Sequence, residues 1–287
     1  MLGWMRQNVV VTTASRTAVM VAALRATHQV IDQSPRILDD PISFRLLEPE
    51  LRERVLATKD APPDPMRDGL RSHVVLRSRF AEDCLAEAVA KGVRQCVSLG
   101  AGLDTFAWRQ PAWASSLRIF EIDQPASQQD KRARLDRAGL TSPSNLTFVP
   151  VDFEVEALDG RLAESGVDRA QPVFYSWLGV TPYLNEAAID QVLSVIAGGT
   201  PGTEVVLTFA PVDEGTQATA VLAERVAALG EPFRSQFATK DLEAKLRGFG
   251  FVDVTFLTPE IAAARYFTGR RDDLPAPRRT SIVRARR

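Results

Sequence analysis

The residues best suited to hold a ligand begin with a glycine pair that directly follows a short apolar run. Gly100-Ala101-Gly102 comes after residues 94–99, which have the composition of a buried strand. Glycines at such a turn let the backbone approach a ligand closely. The dinucleotide fingerprint G-x-G-x-x-G is incomplete, because Thr105 stands where its third glycine would fall. We therefore expect a ligand loop that is not a pyrophosphate cradle, with a simple tight turn as the alternative.

Two carboxylates stand at the end of the next predicted strand. Glu121 and Asp123 are separated by one residue, so in a strand their side chains lie on the same face. An acidic residue at this position of an α/β sheet accepts hydrogen bonds from ribose hydroxyls. We expect at least one of the two to reach a nucleoside; a solvated strand end is the alternative.

Two further segments end strands in the same way. Asp152 could accept a hydrogen bond from an adenine amino group, and Phe153 could cover the ring, although a helix N-cap aspartate is the competing interpretation. Residues 176–184 form an aromatic-rich bend, in which Trp177 and Tyr183 could shape the pocket of a substrate that accepts a group from the first ligand. Both could equally be core aromatics.

These motifs need a sheet whose strands end side by side. Apolar periodicity predicts helices over 15–31, 70–91, 186–196 and 239–249, and strands over 94–99, 117–122, 146–151, 173–177, 204–209, 251–257 and 280–285. The alternation of strand and helix favours a Rossmann-like α/β fold with a parallel sheet of about seven strands. The two strands close together near the C-terminus suggest one reversed strand at the sheet edge.

We expect a single domain with four parts. These are an N-terminal helical cap (1–92), a cofactor-binding core (93–210), a helical lid insert (211–238) and the C-terminal part of the sheet (239–287). The insert is too long for an ordinary turn. Val221, Leu222 and Val226 could form its apolar face.

Composition excludes several classes of function. The 287 residues carry a net charge of −1, so a nucleic-acid binder is not expected. No apolar run is long enough for a membrane span, and the N-terminus lacks the apolar region of a signal peptide. Cys84 and Cys96 have no metal-binding spacing, and His28 and His73 are the only histidines. We expect a cytoplasmic protein with reduced cysteines and no metal.

The sequence resembles the leucine carboxyl methyltransferase family in its bacterial, actinobacterial-type branch. The resemblance runs from Arg16 to about Val283. It rests on Ser15-Arg-Thr-Ala18, Asp40-Pro41, Arg77-Ser-Arg-Phe80, Leu99-Gly-Ala-Gly-Leu-Asp-Thr105, Phe120-Glu-Ile-Asp-Gln-Pro125, Val151-Asp-Phe153 and Gly179-Val-Thr-Pro-Tyr-Leu184. It implies a class I methyltransferase fold, S-adenosyl-L-methionine as methyl donor and transfer to an oxygen atom.

The resemblance also implies roles for individual residues. Arg77 matches the family arginine that binds the donor carboxylate, with Arg79 as the second choice, and Arg25 matches more loosely a basic residue on the first helix. The remaining matched positions are the loop glycines Gly100 and Gly102, the ribose acid Asp123, and the adenine contacts Asp152 and Phe153. Eukaryotic members have glutamate where this chain has Leu178, which weakens the case for protein C-terminal leucine as acceptor.

Two other functions compete with small-molecule O-methylation. A nicotinamide-dependent oxidoreductase is disfavoured by the missing third glycine and by the lack of a Ser…Tyr-x-x-x-Lys pattern. A binding protein that senses the donor without turnover stays open. Because histidines are scarce and a carboxylate acceptor is already ionised at pH 7, a carboxylate acceptor is favoured over a hydroxyl that needs a base.

Overall fold

A seven-stranded mixed sheet forms the centre of the computed structural model, which describes residues 15–153, 156–212, 224, 227 and 230–287. The strands are β1 (Gln95–Leu99), β2 (Arg118–Asp123), β3 (Leu146–Pro150), β4 (Val173–Trp177), β5 (Glu204–Thr208), β6 (Asp253–Phe256) and β7 (Ile282–Arg286). Their order is β3-β2-β1-β4-β5-β7-β6, and β1 to β5 run parallel. All seven predicted strands are present, and the Rossmann-like α/β fold is confirmed.

The reversed strand lies one position inside the edge. β7 pairs antiparallel with β5 on one side and with β6 on the other, so β6 is the edge strand. A reversed strand at this end of the sheet is confirmed, and its exact place is corrected. The last strand of the chain, β7, pairs directly with β5, and β6 therefore takes the outer position.

Helices cover the two faces of the sheet. They are α1 (Arg16–Ile31), α2 (Pro41–Arg45), α3 (Pro49–Leu56), α4 (Pro65–Ala90), α5 (Pro125–Arg137), α6 (Leu158–Glu164), α7 (Glu186–Ala197), α8 (Thr239–Gly248) and α9 (Pro259–Ala262). Apolar residues of α6, α7 and α8 share one core with the sheet, and those of α4 share a second core with its other face. Helix α1 packs against α2, α3 and α4, and so covers the carboxyl end of the sheet from one side.

Helix α4 begins earlier than the sequence predicts. The predicted helix begins at residue 70, whereas the helix in the structure begins at Pro65. The Asp64 side chain accepts hydrogen bonds from the backbone of Met66 and Arg67. Proline fits the first helical turn because its missing N–H would be unpaired there. Ser15 is the N-cap of α1, since its hydroxyl accepts the Ala18 N–H at 3.1 Å.

The cysteines are buried and free, and burial raises the pKa of both thiols, so neither is a reactive thiolate at pH 7. Over the described ranges, no group of three or more His, Cys, Asp or Glu residues could hold a metal ion. None of the helices that the structure describes is both long and apolar enough to cross a membrane.

Candidate functional site

A cavity of about 690 Å³ opens at the carboxyl ends of β1 to β4, beneath α1 and α4. Its size suits a small-molecule or cofactor site, for which about 300–1,000 Å³ is typical. Nine residues singled out from the sequence line it: Arg25, Arg77, Gly100, Ala101, Gly102, Asp123, Asp152, Phe153 and Tyr183. The structure therefore brings together residues that lie far apart in the chain.

The loop after β1 owes its shape to two glycines with positive φ. Gly100 has φ +67° and Gly102 has φ +48°. A Cβ on Gly100 would come within 2.3 Å of Val180 Cγ2, so only glycine fits between this loop and the bend after β4. The Gly100 and Ala101 N–H groups both donate to the Ile122 carbonyl, at 2.8 and 3.1 Å. The loop is thus fixed against the end of β2.

Asp123 ends β2 at the cavity wall. One carboxylate oxygen accepts the Gly102 N–H and the other accepts the Gln124 N–H. Burial raises the pKa of Asp123, and these two backbone hydrogen bonds oppose that change. Each oxygen keeps a further lone pair, so the carboxylate can also accept a hydroxyl from a ligand.

Glu121 does not reach the cavity. Its side chain is 2% exposed and forms an ion pair with Lys131 Nζ of α5 at 2.5 Å. Burial raises the pKa of Glu121, although the Lys131 ammonium acts in the opposite direction. The expectation that Glu121 contacts a ligand is corrected, because it lies two residues below the strand end and is neutralised within the chain.

Asp152 and Phe153 follow β3 on the opposite side of Asp123 from the glycine loop. Val151 N–H donates to the Asp123 carbonyl at 2.8 Å, which brings the end of β3 beside the end of β2. Asp152 is partly exposed to the cavity and Phe153 is 9% exposed. A carboxylate and an aromatic ring therefore lie next to Asp123 on the cavity wall.

Arg77 is held against the bend after β4. A Cβ on Gly179 would lie 2.6 Å from Arg77 Nη1, so the guanidinium packs directly over the bare Gly179 backbone. Gly179 has φ +74°, and its N–H donates to Thr208 Oγ1 at 2.6 Å. Within the described residues, no hydrogen bond or ion pair engages the Arg77 side chain. Burial lowers the pKa of Arg77 to about 10, so the group is still protonated at pH 7.

The two other candidate arginines are engaged within the chain. The Arg79 side chain is 45% exposed and pairs with Asp83 at 2.8 Å, outside the cavity. Arg25 lines the cavity, but its Nε lies 2.9 Å from Asp40 Oδ2 and its Nη2 donates to the Leu103 carbonyl. Of the three, Arg77 is the one with its charge available, and Arg25 fixes the glycine loop to α1.

Tyr183 faces the cavity, whereas Trp177 does not. Tyr183 belongs to a single 3₁₀ turn over Thr181–Tyr183, and its ring lies 5.6 Å from that of Phe233 in an edge-on arrangement. Trp177 is fully buried in the core shared by the sheet and α7. The expectation that Trp177 shapes an acceptor pocket is corrected, because its side chain points to the packed face of the sheet.

Residues 230–232 and 234, near the C-terminal end of the predicted lid, line the side of the cavity next to Tyr183. The Pro182 carbonyl accepts the Arg234 N–H at 2.6 Å, and Ser235 Oγ donates to the Thr181 carbonyl at 2.8 Å. Glu231 accepts the Arg16 N–H at 2.9 Å at the start of α1. Val221, Leu222 and Val226, the predicted apolar face of the lid, lie outside the described residues.

The sequence interpretation missed Asp104, which also lines the cavity. Its Oδ1 accepts the backbone N–H groups of Thr105 and Phe106, at 2.7 and 3.3 Å. The residue is part of the Leu99–Thr105 motif, but the sequence analysis predicted no role for its carboxylate. Neither histidine lines the cavity: His28 pairs with Asp32 at 2.6 Å, and His73 lies beneath Arg77 with its pKa lowered by burial to about 3.

Comparison with known proteins places the chain in a family. Residues 18–197 match the leucine carboxyl methyltransferase family. The “Putative S-adenosyl-L-methionine-dependent methyltransferase YktD” of Bacillus subtilis (strain 168) is 35% identical over 211 residues, 70% of this chain and 67% of that protein. A “Putative S-adenosyl-L-methionine-dependent methyltransferase” of Mycobacterium avium (strain 104) is 33% identical over 68% of this chain and 65% of that protein. The matches thus span about two thirds of these relatives' length.

Two solved structures share the fold. A “putative methyltransferase” from Thermobifida fusca YX has 18% identity and a TM-score of 0.55, covering 100% of this chain and 99% of its own. A DUF574 family protein from Streptomyces avermitilis MA-4680 has 15% identity and a TM-score of 0.58, covering 92% and 97%. The family and the names of its relatives indicate S-adenosylmethionine-dependent methyl transfer. The chain therefore belongs to the leucine carboxyl methyltransferase family, as the motifs between Ser15 and Leu184 predicted.

Proposed function

We propose that this protein transfers a methyl group from S-adenosylmethionine to an oxygen of a small organic acceptor. The observation that carries the proposal is the cavity itself, which is lined by Arg77 of α4 and by Asp123 and Asp152 at the ends of β2 and β3. Arg77, which has no ion-pair partner among the described residues, matches the carboxylate of the donor. Asp123 beside the glycine loop matches the ribose, and Asp152 beside the Phe153 ring matches the adenine. The nine lining residues predicted from the sequence support the same assignment.

The residues present fit the donor at each of its polar groups. The Arg77 guanidinium can hold the donor carboxylate with two parallel hydrogen bonds. Asp123, already fixed by the Gly102 and Gln124 N–H groups, accepts the ribose hydroxyls. Asp152 accepts from the adenine amino group, and Phe153 covers the ring. Bound S-adenosylmethionine supplies a methyl group that its sulfonium has already activated.

The acceptor lies between the start of α1, Tyr183 and residues 230–234. These elements line the part of the cavity next to Arg77 and away from Asp152. The Tyr183 ring, which packs edge-on against Phe233, supplies an aromatic wall. The enclosing residues hold the acceptor oxygen in line with the transferable methyl and exclude water from it. A position for the insert 211–238 over this part of the cavity stays a prediction, supported by the contacts of residues 231, 234 and 235.

A carboxylate acceptor fits the lining better than a hydroxyl acceptor. A carboxylic acid, with a pKa of about 4, is ionised at pH 7 and needs no base. A phenol, with a pKa near 10, gains from a general base. The described lining contains no histidine, and burial raises the pKa of Tyr183, which disfavours that hydroxyl as a base. Leu178 lines the cavity where eukaryotic members have glutamate, so protein carboxyl termini are the less favoured carboxylates.

The test is a screen for release of S-adenosylhomocysteine in the presence of aliphatic and aromatic acids, phenols, peptides ending in leucine, and RNA. We expect turnover with small carboxylic acids and methyl esters in the product by mass spectrometry. A methylated nitrogen or turnover on RNA alone would contradict O-methylation of a small molecule. Donor binding without turnover on any substrate would favour a non-catalytic donor-binding protein. A cytoplasmic location stays a prediction.

A matched pair of variants tests the donor site. Arg77→Lys keeps the charge but loses the two-pronged geometry, so we expect donor affinity to fall roughly 10-fold. Arg79→Lys makes the same change in an exposed side chain paired with Asp83, and should leave donor affinity unchanged. Calorimetric titration with S-adenosylhomocysteine measures both. Loss of affinity in Arg79→Lys alone would show that Arg79 binds the carboxylate.

A further inference from the structure

Two opposite charges face the same cavity without pairing with each other. Arg77 reaches it from α4 and Asp104 reaches it from the loop after β1, and both line its wall. No ion pair within 4.0 Å joins them or links either one to another described residue. Because β1 and β4 are neighbours, the two groups flank the gap between the ends of these strands.

The cations around Asp104 are already committed elsewhere. Lys131 pairs with Glu121 at 2.5 Å, and Arg25 pairs with Asp40 at 2.9 Å. Arg109 Nη1 donates to Glu82 at 2.9 Å. Each of these cations pairs with another carboxylate, so among the described residues the Asp104 side chain accepts hydrogen bonds only from backbone N–H groups.

Both cavity charges persist at neutral pH. Burial acts to raise the pKa of Asp104, but Lys131, Arg25 and Arg109 and the Thr105 N–H together hold it below its usual value. Asp104 in turn raises the pKa of Arg77, which opposes the effect of burial there. The two charges therefore stabilise each other electrostatically without forming an ion pair within 4.0 Å.

We infer that Arg77 and Asp104 form a clamp for the α-amino acid end of the donor, in which Arg77 binds the carboxylate and Asp104 binds the ammonium group. The inference rests on the proposed function and extends it, because it makes Asp104 a specificity residue. A zwitterion matches one unpaired cation and one unpaired anion, whereas a donor lacking either charge leaves one of them buried and uncompensated.

An exclusively structural role for Asp104 makes a different prediction. Its Oδ1 accepts the Thr105 and Phe106 N–H groups, and so stabilises the turn that starts the 3₁₀ helix Phe106–Trp108. Asparagine retains a carbonyl oxygen for these bonds and removes only the charge. Asp104→Asn is therefore the variant that separates the clamp from the turn.

The experiment is a calorimetric comparison of S-adenosylhomocysteine with its analogue lacking the amino group and its analogue lacking the carboxylate. Asp104→Asn should lower affinity for S-adenosylhomocysteine at least about 10-fold, since charge-assisted hydrogen bonds are among the strong ones. It should leave the affinity of the analogue without the amino group unchanged. Arg77→Lys should show the reverse selectivity, losing affinity for ligands with the carboxylate only. Asp83→Asn, outside the cavity, is the matched control and should bind all three ligands as the wild type does.

Each result has a definite consequence. If Asp104→Asn loses the same factor for the compounds with and without the amino group, Asp104 is structural and the clamp is wrong. If the wild-type chain binds S-adenosylhomocysteine and Asp104→Asn binds it equally well, the clamp is wrong while the proposed function stands. If the wild-type chain binds none of the three ligands, both the proposed function and the clamp are overturned.

Discussion

Charged residues at the carboxyl end of the sheet differ in how they are neutralised. Beneath the glycine loop, Glu121 and Lys131 are almost fully buried and satisfy each other. Facing the cavity, Arg77 and Asp104 have no ion-pair partner among the described residues. Each region holds one acidic and one basic side chain. In the first region each charge has its counter-charge within the chain, whereas in the second the two charges face an open cavity.

This contrast gives the two regions different kinds of energetic cost. A paired, buried charge contributes to stability as long as both partners are present, and removing one leaves the other uncompensated. A charge kept unpaired in a cavity weakens folding slightly and gains its partner when a ligand binds. Variants below the loop should therefore affect unfolding, and variants facing the cavity should affect binding.

The largest expected effect is on stability, in Glu121→Gln. The change leaves the Lys131 ammonium buried without its carboxylate, so we expect the free energy of unfolding to fall by about 3–5 kcal/mol. The double variant Glu121→Gln/Lys131→Met should recover most of this loss, because no buried ammonium is left without its carboxylate. Urea denaturation measures both. Donor affinity per folded molecule should stay within about twofold, and a stable Glu121→Gln with impaired donor binding would place Glu121 in the site after all.

Gly179→Ala should give the largest effect on binding. The new Cβ would lie 2.6 Å from Arg77 Nη1, so the guanidinium must move away from the donor carboxylate. We expect donor affinity to fall roughly 100-fold, the loss of two charge-assisted hydrogen bonds. Calorimetric titration with S-adenosylhomocysteine measures the loss.

Gly250→Ala is the control for backbone strain. Gly250 has φ +96° and open space around the position of a Cβ, so alanine there is strained without meeting any neighbour. Both variants should lose about 1–2 kcal/mol of stability from the positive φ. Equal affinity losses in the two would mean that strain, and not displacement of Arg77, impairs the site.

Asp123→Asn should produce a smaller loss of donor affinity. Asparagine keeps one oxygen and loses the charge, so we expect roughly a 10-fold reduction. The comparison with Glu121→Gln is direct, since the same chemical change is made two residues apart on one strand. Unchanged affinity in a folded Asp123→Asn would remove Asp123 from the donor site.

The sequence was informative about elements and about strand ends. All seven strands and the glycine loop followed from apolar runs and turn residues, because these signals are local. Local sequence signals do not determine which of Glu121 and Asp123 reaches the cavity. Both lie on one face of β2, and only the packing of α5 brings Lys131 to the first and leaves the second at the cavity.

The same limit explains Trp177, Arg25 and Asp104. An aromatic residue at the last position of a strand can face either the core or the cavity, and the alternation of side chains alone does not decide which. The partner of Arg25 is Asp40, which lies 15 positions further along the chain and caps the start of α2. The spacing of the two residues in the sequence does not specify this contact. Asp104 lies inside the Leu99–Thr105 motif, but the importance of its charge depends on the neighbouring cations being paired with other carboxylates. The division of the chain into four parts stays a prediction.

The smallest expected effect concerns the acceptor side of the cavity, in Glu231→Ala. The Glu231 carboxylate accepts the Arg16 N–H at 2.9 Å and the Ser15 hydroxyl at 3.2 Å, so it joins the segment after the insert to the start of α1. A hydrogen bond to a helix N-terminus contributes about 1 kcal/mol. Losing it should loosen the wall on the acceptor side and lower turnover about 5-fold, while donor affinity changes less than about twofold. Glu50→Ala removes the same charge from an exposed position of α3 and should alter neither quantity. Steady-state turnover and calorimetric titration of the same preparations separate the two effects. Equal losses of turnover and donor affinity would mean that residues 230–235 are a scaffold for the whole cavity and do not act on the acceptor side alone.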